Sequence, residues 1–236
     1  MLLERYGRPA KGLERKSSAT DPVSDADRAA EAAIRELLSR ERPDDGLLAE
    51  EGSRSEAASG RRWVVDPLDG TVNFLYGFPA WCVSVALQDA EGSALGVVHD
   101  ALRDETFRAE RGGGSYLNGS PIRVRARDEL SRALVATGFG YARERRQWQA
   151  EVVRQVLPEV RDLRRAGAAA LDLSWLAAGR LDGYWERGLN PWDWAAGRLL
   201  VEEAGGAVVE LPGEPYGLVA ANPRLLPKLE PLVASR

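Results

Sequence analysis

Histidine and cysteine are almost absent from this sequence of 236 residues. His99 is the only histidine and Cys82 the only cysteine. Zinc sites built from clusters of these residues are therefore nearly excluded, and so are catalytic triads that depend on histidine. A single cysteine also excludes an intramolecular disulfide, which fits a reducing compartment. Any catalytic chemistry must come from carboxylates, hydroxyls and metal ions.

Long apolar runs are also absent. No segment approaches the roughly 20 residues of a membrane-spanning helix, and residues 1–16 contain no apolar core resembling a signal peptide. We therefore expect a cytoplasmic protein without a membrane partner. The net charge of −4 provides no general attraction for nucleic acid. A content of 44% hydrophobic and 29% charged residues is typical of a folded globular protein.

The first half of the chain predicts one helix followed by an antiparallel meander. Apolar residues at helical spacing predict a helix over residues 24–40, with Ser24 and Asp27 forming its N-terminal cap. Short strands are predicted at residues 63–65, 82–87, 96–99 and 106–109, with glycine-containing turns after the last of them. Residues 121–125 are expected to close this sheet.

The second half alternates helices and strands. Helices are predicted over residues 147–156, 168–178 and 192–204 and near the C-terminus, and strands over residues 184–186, 207–211 and 217–220. Such alternation is typical of an α/β layer. We therefore expect a mixed α/β (α+β) fold of two halves, residues 1–128 and 129–236.

The stretch WVVDPLDGTVNF places two aspartates directly after an apolar run. Asp66 and Asp69 would repel each other unless a cation lay between them. Mg²⁺ prefers carboxylate, carbonyl and water oxygens, so these two residues, the Leu68 carbonyl and one distant glutamate form a suitable ligand set. The N–H groups of Gly70 and Thr71 would suit an anion if a helix begins there. A metal beside an anion site indicates phosphate ester chemistry.

Other acidic residues have ordinary structural explanations when each is taken alone. Asp27 and Asp193 lie at predicted helix N-termini, where a carboxylate interacts favourably with the helix dipole. The pair Glu50 and Glu51 lies in a predicted loop, and such pairs are usually solvated. These positions alone do not distinguish a structural role from a functional one.

Two long motifs resemble the signatures of the inositol monophosphatase family. They are WVVDPLDGTVNF and NPWDWAAGRLLVEEAGGAV, and the segments KSSATDPVSDAD, LLAEEGS and GGGSYLNGSPIRV stand in the matching order. The resemblance extends from about residue 16 to the final strand. It implies the layered αβαβα sandwich of inositol monophosphatases and sugar phosphatases, a homodimer, and an active site at the seam between the two halves.

The resemblance also implies a metal centre that holds two or three Mg²⁺ ions. The implied ligands are Glu50, Asp66, the Leu68 carbonyl, Asp69 and Asp193. Thr71 and Glu50 are expected to position the attacking water, and Asp27 to orient the Thr71 hydroxyl. The implied substrate contacts are Asp69, Gly70, Thr71, Gly167, Ala168, Ala169, Glu186 and Asp193, with Lys16, Asp21 and Glu51 in supporting positions.

The implied activity is Mg²⁺-dependent, lithium-sensitive hydrolysis of a phosphate monoester by metal-activated water. The substrate would be a small phosphorylated polyol or sugar, with inositol 1-phosphate cleaved to inositol and phosphate as the leading candidate. Histidinol phosphate and fructose 1,6-bisphosphate remain open as substrates. Some bacterial members of this family also bind the transcription machinery, so a binding protein is the alternative from another functional class.

Overall fold

The structure is a computed structural model that describes residues 1–7, 14–15 and 22–234. Its N-terminal elements are α1 (Leu2–Arg5), the paired strands β1 (Glu14–Arg15) and β2 (Pro22–Val23), and the long helix α2 (Asp25–Glu41). The predicted cap of α2 is confirmed, because the Ser24 N–H donates to Asp27 Oδ2 at 2.9 Å. This capping box fixes where the helix begins.

Residues 46–121 build an eight-stranded mixed sheet. Its strands are β3 (Gly46–Ala49), β4 (Arg54–Ser55), β5 (Arg62–Asp69), β6 (Cys82–Asp89), β7 (Gly92–Asp100), β8 (Glu105–Glu110), β9 (Gly114–Leu117) and β10 (Ser120–Pro121), in the spatial order β10-β9-β8-β7-β6-β5-β3-β4. β5 to β10 form the predicted antiparallel meander, whereas β3 is parallel to β5. The prediction of a strand over residues 121–125 is wrong beyond residue 121. There the Val124 N–H leaves the sheet and donates to the Ala204 carbonyl at 3.1 Å.

The strand predicted at residues 63–65 is longer than expected and includes both aspartates. β5 continues to Asp69, and its register with β6 shifts between Asp66 and Asp69. Pro67 lies inside this irregularity, where its missing N–H costs no ladder hydrogen bond. Helix α3 (Thr71–Tyr76) follows directly, with Gly70 as its N-cap at φ +92°. A Cβ at Gly70 would lie 2.8 Å from the Ala80 carbonyl oxygen, so the turn accommodates only glycine.

The described residues from 130 to 234 form a five-stranded sheet with four α-helices. Its elements are a 3₁₀ turn (Leu130–Arg132), β11 (Leu134–Thr137), α4 (Arg143–Val156), β12 (Asp162–Arg164), α5 (Ala169–Ala177), β13 (Gly183–Arg187), α6 (Pro191–Glu203), β14 (Ala207–Glu210), β15 (Gly217–Ala221) and α7 (Leu226–Ala234). The spatial order of the strands is β12-β11-β13-β15-β14. The predicted helices and strands of this half are confirmed within four residues, whereas β11 and β12 are not predicted by the sequence patterns.

The helices cover both sheets in the expected αβαβα order. Apolar side chains of α2 pack on β3 and β5, and the buried helices α5 and α6 contact strands of both sheets. α4 and α7 pack against each other and on the five-stranded sheet. The largest apolar cluster joins residues on both sides of position 128, including Phe107 and Leu171. No helix within the described ranges is long and apolar enough to cross a membrane.

Candidate active site

The N-termini of α3, α5 and α6 and the end of β5 border a pocket of about 430 Å³. Most of the predicted site residues line it, although they come from both halves of the chain. These are Glu50, Asp66, Leu68, Asp69, Gly70, Thr71, Gly167, Ala169, Glu186 and Asp193. The fold therefore brings together the carboxylates that the sequence separates by more than a hundred positions.

Three further predicted residues, Asp27, Ala168 and Glu51, are described by the structure but do not line the pocket. Asp27 is fully buried and reaches the site through Thr71, and Ala168 is buried beside it at the N-cap of α5. The Glu51 N–H donates to Glu31 Oε2 at 2.7 Å, and Glu51 borders a separate surface depression. Lys16 and Asp21 lie outside the described residues.

Backbone N–H groups hold one carboxylate oxygen of each of the three site aspartates. Asp66 Oδ1 accepts from the Leu68 N–H at 2.9 Å, within its own turn. Asp69 Oδ2 accepts from the Ala170 N–H at 2.7 Å, at the N-terminus of α5. Asp193 Oδ2 accepts from the Asn190 N–H at 2.6 Å, at the N-terminus of α6. The sheet and the two helix ends thus fix the orientation of all three side chains.

Burial and mutual repulsion raise the pKa values of these carboxyl groups. Burial is the largest cause for Asp66, followed by the charge of Glu50 and then by those of Asp69 and Asp193. Asp193 has its pKa raised for the same two reasons. Burial raises the pKa of Asp69 to about 6, although the N–H groups of α5 oppose the shift. A cluster of this kind favours either protons or a bound cation.

The donor chemistry of this cluster fits a hard divalent cation. Among the described residues, no three histidine, cysteine, aspartate or glutamate side chains form a ready-made metal-binding arrangement. The four carboxylate residues nevertheless line one pocket together with Leu68, and carboxylate and carbonyl oxygens are the donors that Mg²⁺ prefers. A cation among them would replace the repulsion that raises the pKa of Asp66 with attraction.

Thr71 connects the carboxylate cluster in the pocket to α2. Its hydroxyl lies 2.8 Å from Asp27 Oδ1 and 3.1 Å from the Leu68 carbonyl oxygen, and it can donate to either of these acceptors. The other oxygen of Asp27 accepts from Ser24. Because the Thr71 hydroxyl donates its proton to one of these buried acceptors, its lone pairs are available to a group in the pocket.

Glu186 occupies the part of the pocket formed by the second sheet. Its Oε2 accepts from the Tyr184 hydroxyl at 2.8 Å, and burial raises its pKa to about 7. The hydrogen bond from Tyr184 and the positive charge of Arg165 oppose this shift. The carboxyl group lies against Gly138, where any Cβ would collide with it. Glycine at position 138 therefore leaves room for the Glu186 carboxylate at the pocket wall.

The sequence patterns do not identify several residues that line the same pocket. Phe139, Gly140 and Tyr141 precede α4, and Arg145 lies in its first turn. Arg165 lies just before the predicted substrate-binding residue Gly167. Residues 143–146 and 161–165 are visible in the sequence as basic patches, but nothing in the sequence distinguishes the pocket-lining arginine of each patch from its neighbours.

The chain is similar to known proteins of one family. A family model described as "Inositol monophosphatase family" matches residues 1–236. The chain is 50% identical over 189 residues to an inositol-1-monophosphatase from Rhizobium meliloti, covering 79% of this chain and 71% of that protein. It is 41% identical over 232 residues to a protein from Xylella fastidiosa named Nus factor SuhB, covering 93% of this chain and 84% of that one.

A solved structure has the same fold. The extragenic suppressor protein SuhB from Bartonella henselae superposes with a TM-score of 0.92 at 40% sequence identity. The match covers 98% of this chain and 92% of that chain. The layered architecture is therefore the one found in that protein.

Proposed function

This chain belongs to the inositol monophosphatase family, a family of phosphoric monoester hydrolases, and on that premise we propose that it hydrolyses inositol 1-phosphate to inositol and phosphate in a Mg²⁺-dependent reaction. The observation that supports this most directly is the cluster of Glu50, Asp66, Asp69 and Asp193 in one pocket. The charge of Glu50 raises the pKa values of Asp66, Asp69 and Asp193, and a bound cation would relieve this repulsion.

The cluster and the Leu68 carbonyl would hold two or three Mg²⁺ ions. When bound, Mg²⁺ supplies positive charge to the phosphate dianion and lowers the pKa of a water molecule. The backbone hydrogen bonds to Asp66, Asp69 and Asp193 fix these ligands before the metal arrives. A site organised in this way loses little conformational entropy on binding.

The remaining roles belong to side chains around the cluster. Thr71, whose hydroxyl is oriented by Asp27, and Glu50 would position the attacking water in line with the scissile bond and accept its proton. The N–H groups of Gly70 and Thr71 would donate to non-bridging phosphate oxygens. Glu186 would accept a hydrogen bond from a hydroxyl of the substrate, beside Gly167 and Ala169 of the pocket wall, and the backbone of Ala168 is proposed to complete that wall. Lys16, Asp21 and Glu51 are proposed to support the metal site.

A panel of phosphate esters tests this proposal. Phosphate release is measured from inositol 1-phosphate, fructose 1,6-bisphosphate, histidinol phosphate and phosphoadenosine phosphate, each with Mg²⁺ and with EDTA. We expect turnover that requires Mg²⁺ and is fastest for inositol 1-phosphate. If fructose 1,6-bisphosphate or histidinol phosphate is turned over faster, that ester is the substrate instead of inositol 1-phosphate. No turnover by the folded protein would contradict the hydrolase assignment.

A role as a partner of the transcription machinery is the second candidate, and it is favoured by the relatives named Nus factor SuhB. Such a role would not require catalysis. It predicts that RNA polymerase retains the wild-type protein and the Asp66→Asn variant equally in a pull-down experiment. Loss of retention at low salt would contradict it.

We also propose that the protein is a cytoplasmic homodimer inhibited by Li⁺, with residues 1–128 and 129–236 as two halves that meet at the active site. The shared pocket supports the last point, because Asp66 and Asp193 come from different halves. Light scattering on the purified protein measures the mass of the particle, and a titration with LiCl at fixed Mg²⁺ measures inhibition. A monomeric mass, or activity unchanged by Li⁺, would contradict the corresponding proposal.

A further inference from the structure

Two arginines line the active-site pocket without a role in the mechanism above. Neither the guanidinium of Arg145 nor that of Arg165 forms a hydrogen bond or a salt bridge with any residue that the structure describes. By contrast, neighbouring arginines such as Arg146 and Arg154 do find partners. Since a guanidinium offers five donors, these two groups can bind a ligand from the pocket.

Arg145 runs through a slot between two glycines. A Cβ at Gly140 would collide with the aliphatic part of its side chain, and a Cβ at Gly188 would collide with its guanidinium. Gly140 precedes α4, whereas Gly188 follows β13, so two separate segments leave room for the same side chain. The guanidinium of Arg145 therefore lies beside residue 188 at the pocket wall.

Arg165 is seated in a similar way. Its guanidinium lies over Gly167, where any Cβ would collide with it, and 5.9 Å from the centre of the Phe139 ring. Its positive charge offsets part of the rise in the pKa values of Glu186 and Asp172, so Arg165 lies on the Glu186 side of the pocket. Both arginines therefore border the part of the pocket that would receive the organic portion of a phosphate ester.

The N-terminus of α4 adds to the positive potential in the part of the pocket that Arg145 and Arg165 border. Its N-cap residue, Ala142, lines the pocket and provides no side-chain cap for the first turn of this 14-residue helix. Free N–H groups at a helix N-terminus interact favourably with anions. Glu186 and the buried Asp172 are opposing charges in this region, and Arg165 already compensates part of both.

We propose that Arg145 and Arg165 form a second anion-binding subsite, which binds phosphate monoesters whose other end bears a phosphate or carboxylate group more tightly than esters with a neutral end. This inference rests on the proposed hydrolase function and adds doubly anionic esters to the ligands of the same pocket, beside inositol 1-phosphate as the ester that is turned over fastest. A guanidinium can bind either anion through two parallel hydrogen bonds. The carboxylate cluster would take the scissile phosphate, and the arginines would bind the opposite end of the same molecule.

Three esters that differ at that end form the probe set. Glucitol 6-phosphate has a neutral end, 6-phosphogluconate a carboxylate and fructose 1,6-bisphosphate a second phosphate. Dissociation constants are measured by calorimetry with Ca²⁺ in place of Mg²⁺, under conditions where phosphate release is verified to be absent. We expect the wild type to bind at least one doubly anionic ester about tenfold or more tightly than glucitol 6-phosphate, since hydrogen bonds between charged groups are the stronger class.

Variants separate the subsite from general charge effects. Arg145→Gln and Arg165→Gln should each reduce the preference for the doubly anionic ester about tenfold or more. Arg143→Gln is the matched control, because Arg143 lies in the same turn of α4 but does not line the pocket. It should leave the preference unchanged. Gly140→Ala keeps the arginine but fills its slot, so it should reduce the preference even if Arg145→Gln fails to fold.

Each outcome bears on one proposal. Equal preference in wild type, Arg145→Gln and Gly140→Ala, or no preference in the wild type, would overturn the subsite even if the enzyme hydrolyses inositol 1-phosphate. A preference that depends on Arg145, in a protein that hydrolyses no ester with Mg²⁺, would retain the subsite and contradict the hydrolase assignment. Comparing the bisphosphate with 6-phosphogluconate identifies which anion the arginines prefer.

Discussion

Asp66 shows how one residue can oppose folding and support function. It is 2% exposed, and the charges of Glu50, Asp69 and Asp193 add to the effect of burial on its pKa. A buried carboxylate without a positive partner lowers the stability of the folded state whenever it ionises. The same arrangement becomes favourable when a divalent cation binds. Stability measurements with and without metal can therefore reveal the function of this residue.

Asp66→Asn should abolish Mg²⁺-dependent turnover and raise the melting temperature in EDTA by about 2–6 °C, because a neutral side chain of the same shape removes repulsion. Mg²⁺ should raise the melting temperature of the wild type but not that of the variant. Differential scanning fluorimetry with MgCl₂ or EDTA measures both effects.

The matched control for this prediction is Asp100→Asn. Asp100 is also fully buried, but it forms an ion pair with Arg103 at 2.7 Å outside the pocket. Only the Asp100 side of this pair is buried, but removing the charge of a buried carboxylate that has an arginine partner destabilises the folded state, so this variant should melt at a lower temperature with or without Mg²⁺. An equal loss of stability in Asp66→Asn and Asp100→Asn would argue against a metal site.

Thr71 makes a second test possible at this scale. Thr71→Ser retains the hydroxyl that contacts Asp27, whereas Thr71→Val retains the shape and removes the hydroxyl. We expect kcat to fall about a hundredfold or more in the valine variant, in line with the contribution of a positioned proton-transfer group, and to remain within about tenfold in the serine variant. Steady-state kinetics with inositol 1-phosphate distinguish the two. Equal kcat values for Thr71→Val and wild type would exclude a role for this hydroxyl.

At the scale of elements, two helix caps also supply site residues. Asp27 is the third residue of α2 and Asp193 the third residue of α6, and each accepts a hydrogen bond from the backbone N–H of the N-cap residue. Asp27 uses its second oxygen for Thr71. In Asp27, one carboxylate oxygen thus has a structural role and the other a proposed functional role. Sequence reasoning about Asp27 or Asp193 alone treats them as alternatives and cannot choose between them.

The two roles of Asp193 can be separated by substitution. Asp193→Asn removes the charge but retains an oxygen that can cap α6, whereas Asp193→Ala removes both. Both variants should lose Mg²⁺-dependent activity, and the alanine variant should be less stable than the asparagine variant by about 1 kcal/mol. Urea unfolding in EDTA measures the difference, since neither variant bears the buried charge. Identical stability would show that the cap contributes nothing to α6.

How well a helix or strand can be predicted from the sequence depends on its length and on the local spacing of its apolar residues. Amphipathic α2 and the alternating strands of the meander have clear periods, and the sequence predicts them well. The four-residue strands β3 and β11 are too short and too uniformly buried to show a period. The extension of β5 through Pro67 depends on a register shift against β6, which no local pattern encodes.

The residues of the candidate site also divide into those that the sequence identifies and those that only the fold reveals. The two aspartates of β5 are adjacent in sequence, so their chemistry is visible before the fold is known. Arg145 and Arg165 reach the pocket only because α4 and the segment before α5 fold toward it, and the glycines that receive Arg145 are 48 positions apart (188 minus 140). Tertiary packing alone brings those residues together.

At the scale of the whole molecule, ionisation should oppose folding in metal-free protein. Asp66, Asp69, Asp172, Glu186 and Asp193 all have raised pKa values, with Asp69 at about 6 and Glu186 at about 7. At pH values between their ordinary and raised pKa values, the folded state binds more protons than the unfolded state. The free energy of unfolding in EDTA should therefore fall as the pH rises from about 5 to 7.5. The lowered pKa values of Asp89, Glu105 and Asp162 act only at lower pH.

Mg²⁺ should reverse this dependence, because the metal binds the deprotonated carboxylates and its affinity rises with pH. Urea unfolding at pH 5, 6, 7 and 7.5 with EDTA or saturating MgCl₂ tests both statements. Glu186→Gln should make the decline in EDTA less steep, since one buried ionisation has been removed, while leaving stabilisation by Mg²⁺ largely in place. A free energy of unfolding that increases with pH in EDTA would contradict this account of the buried carboxylates.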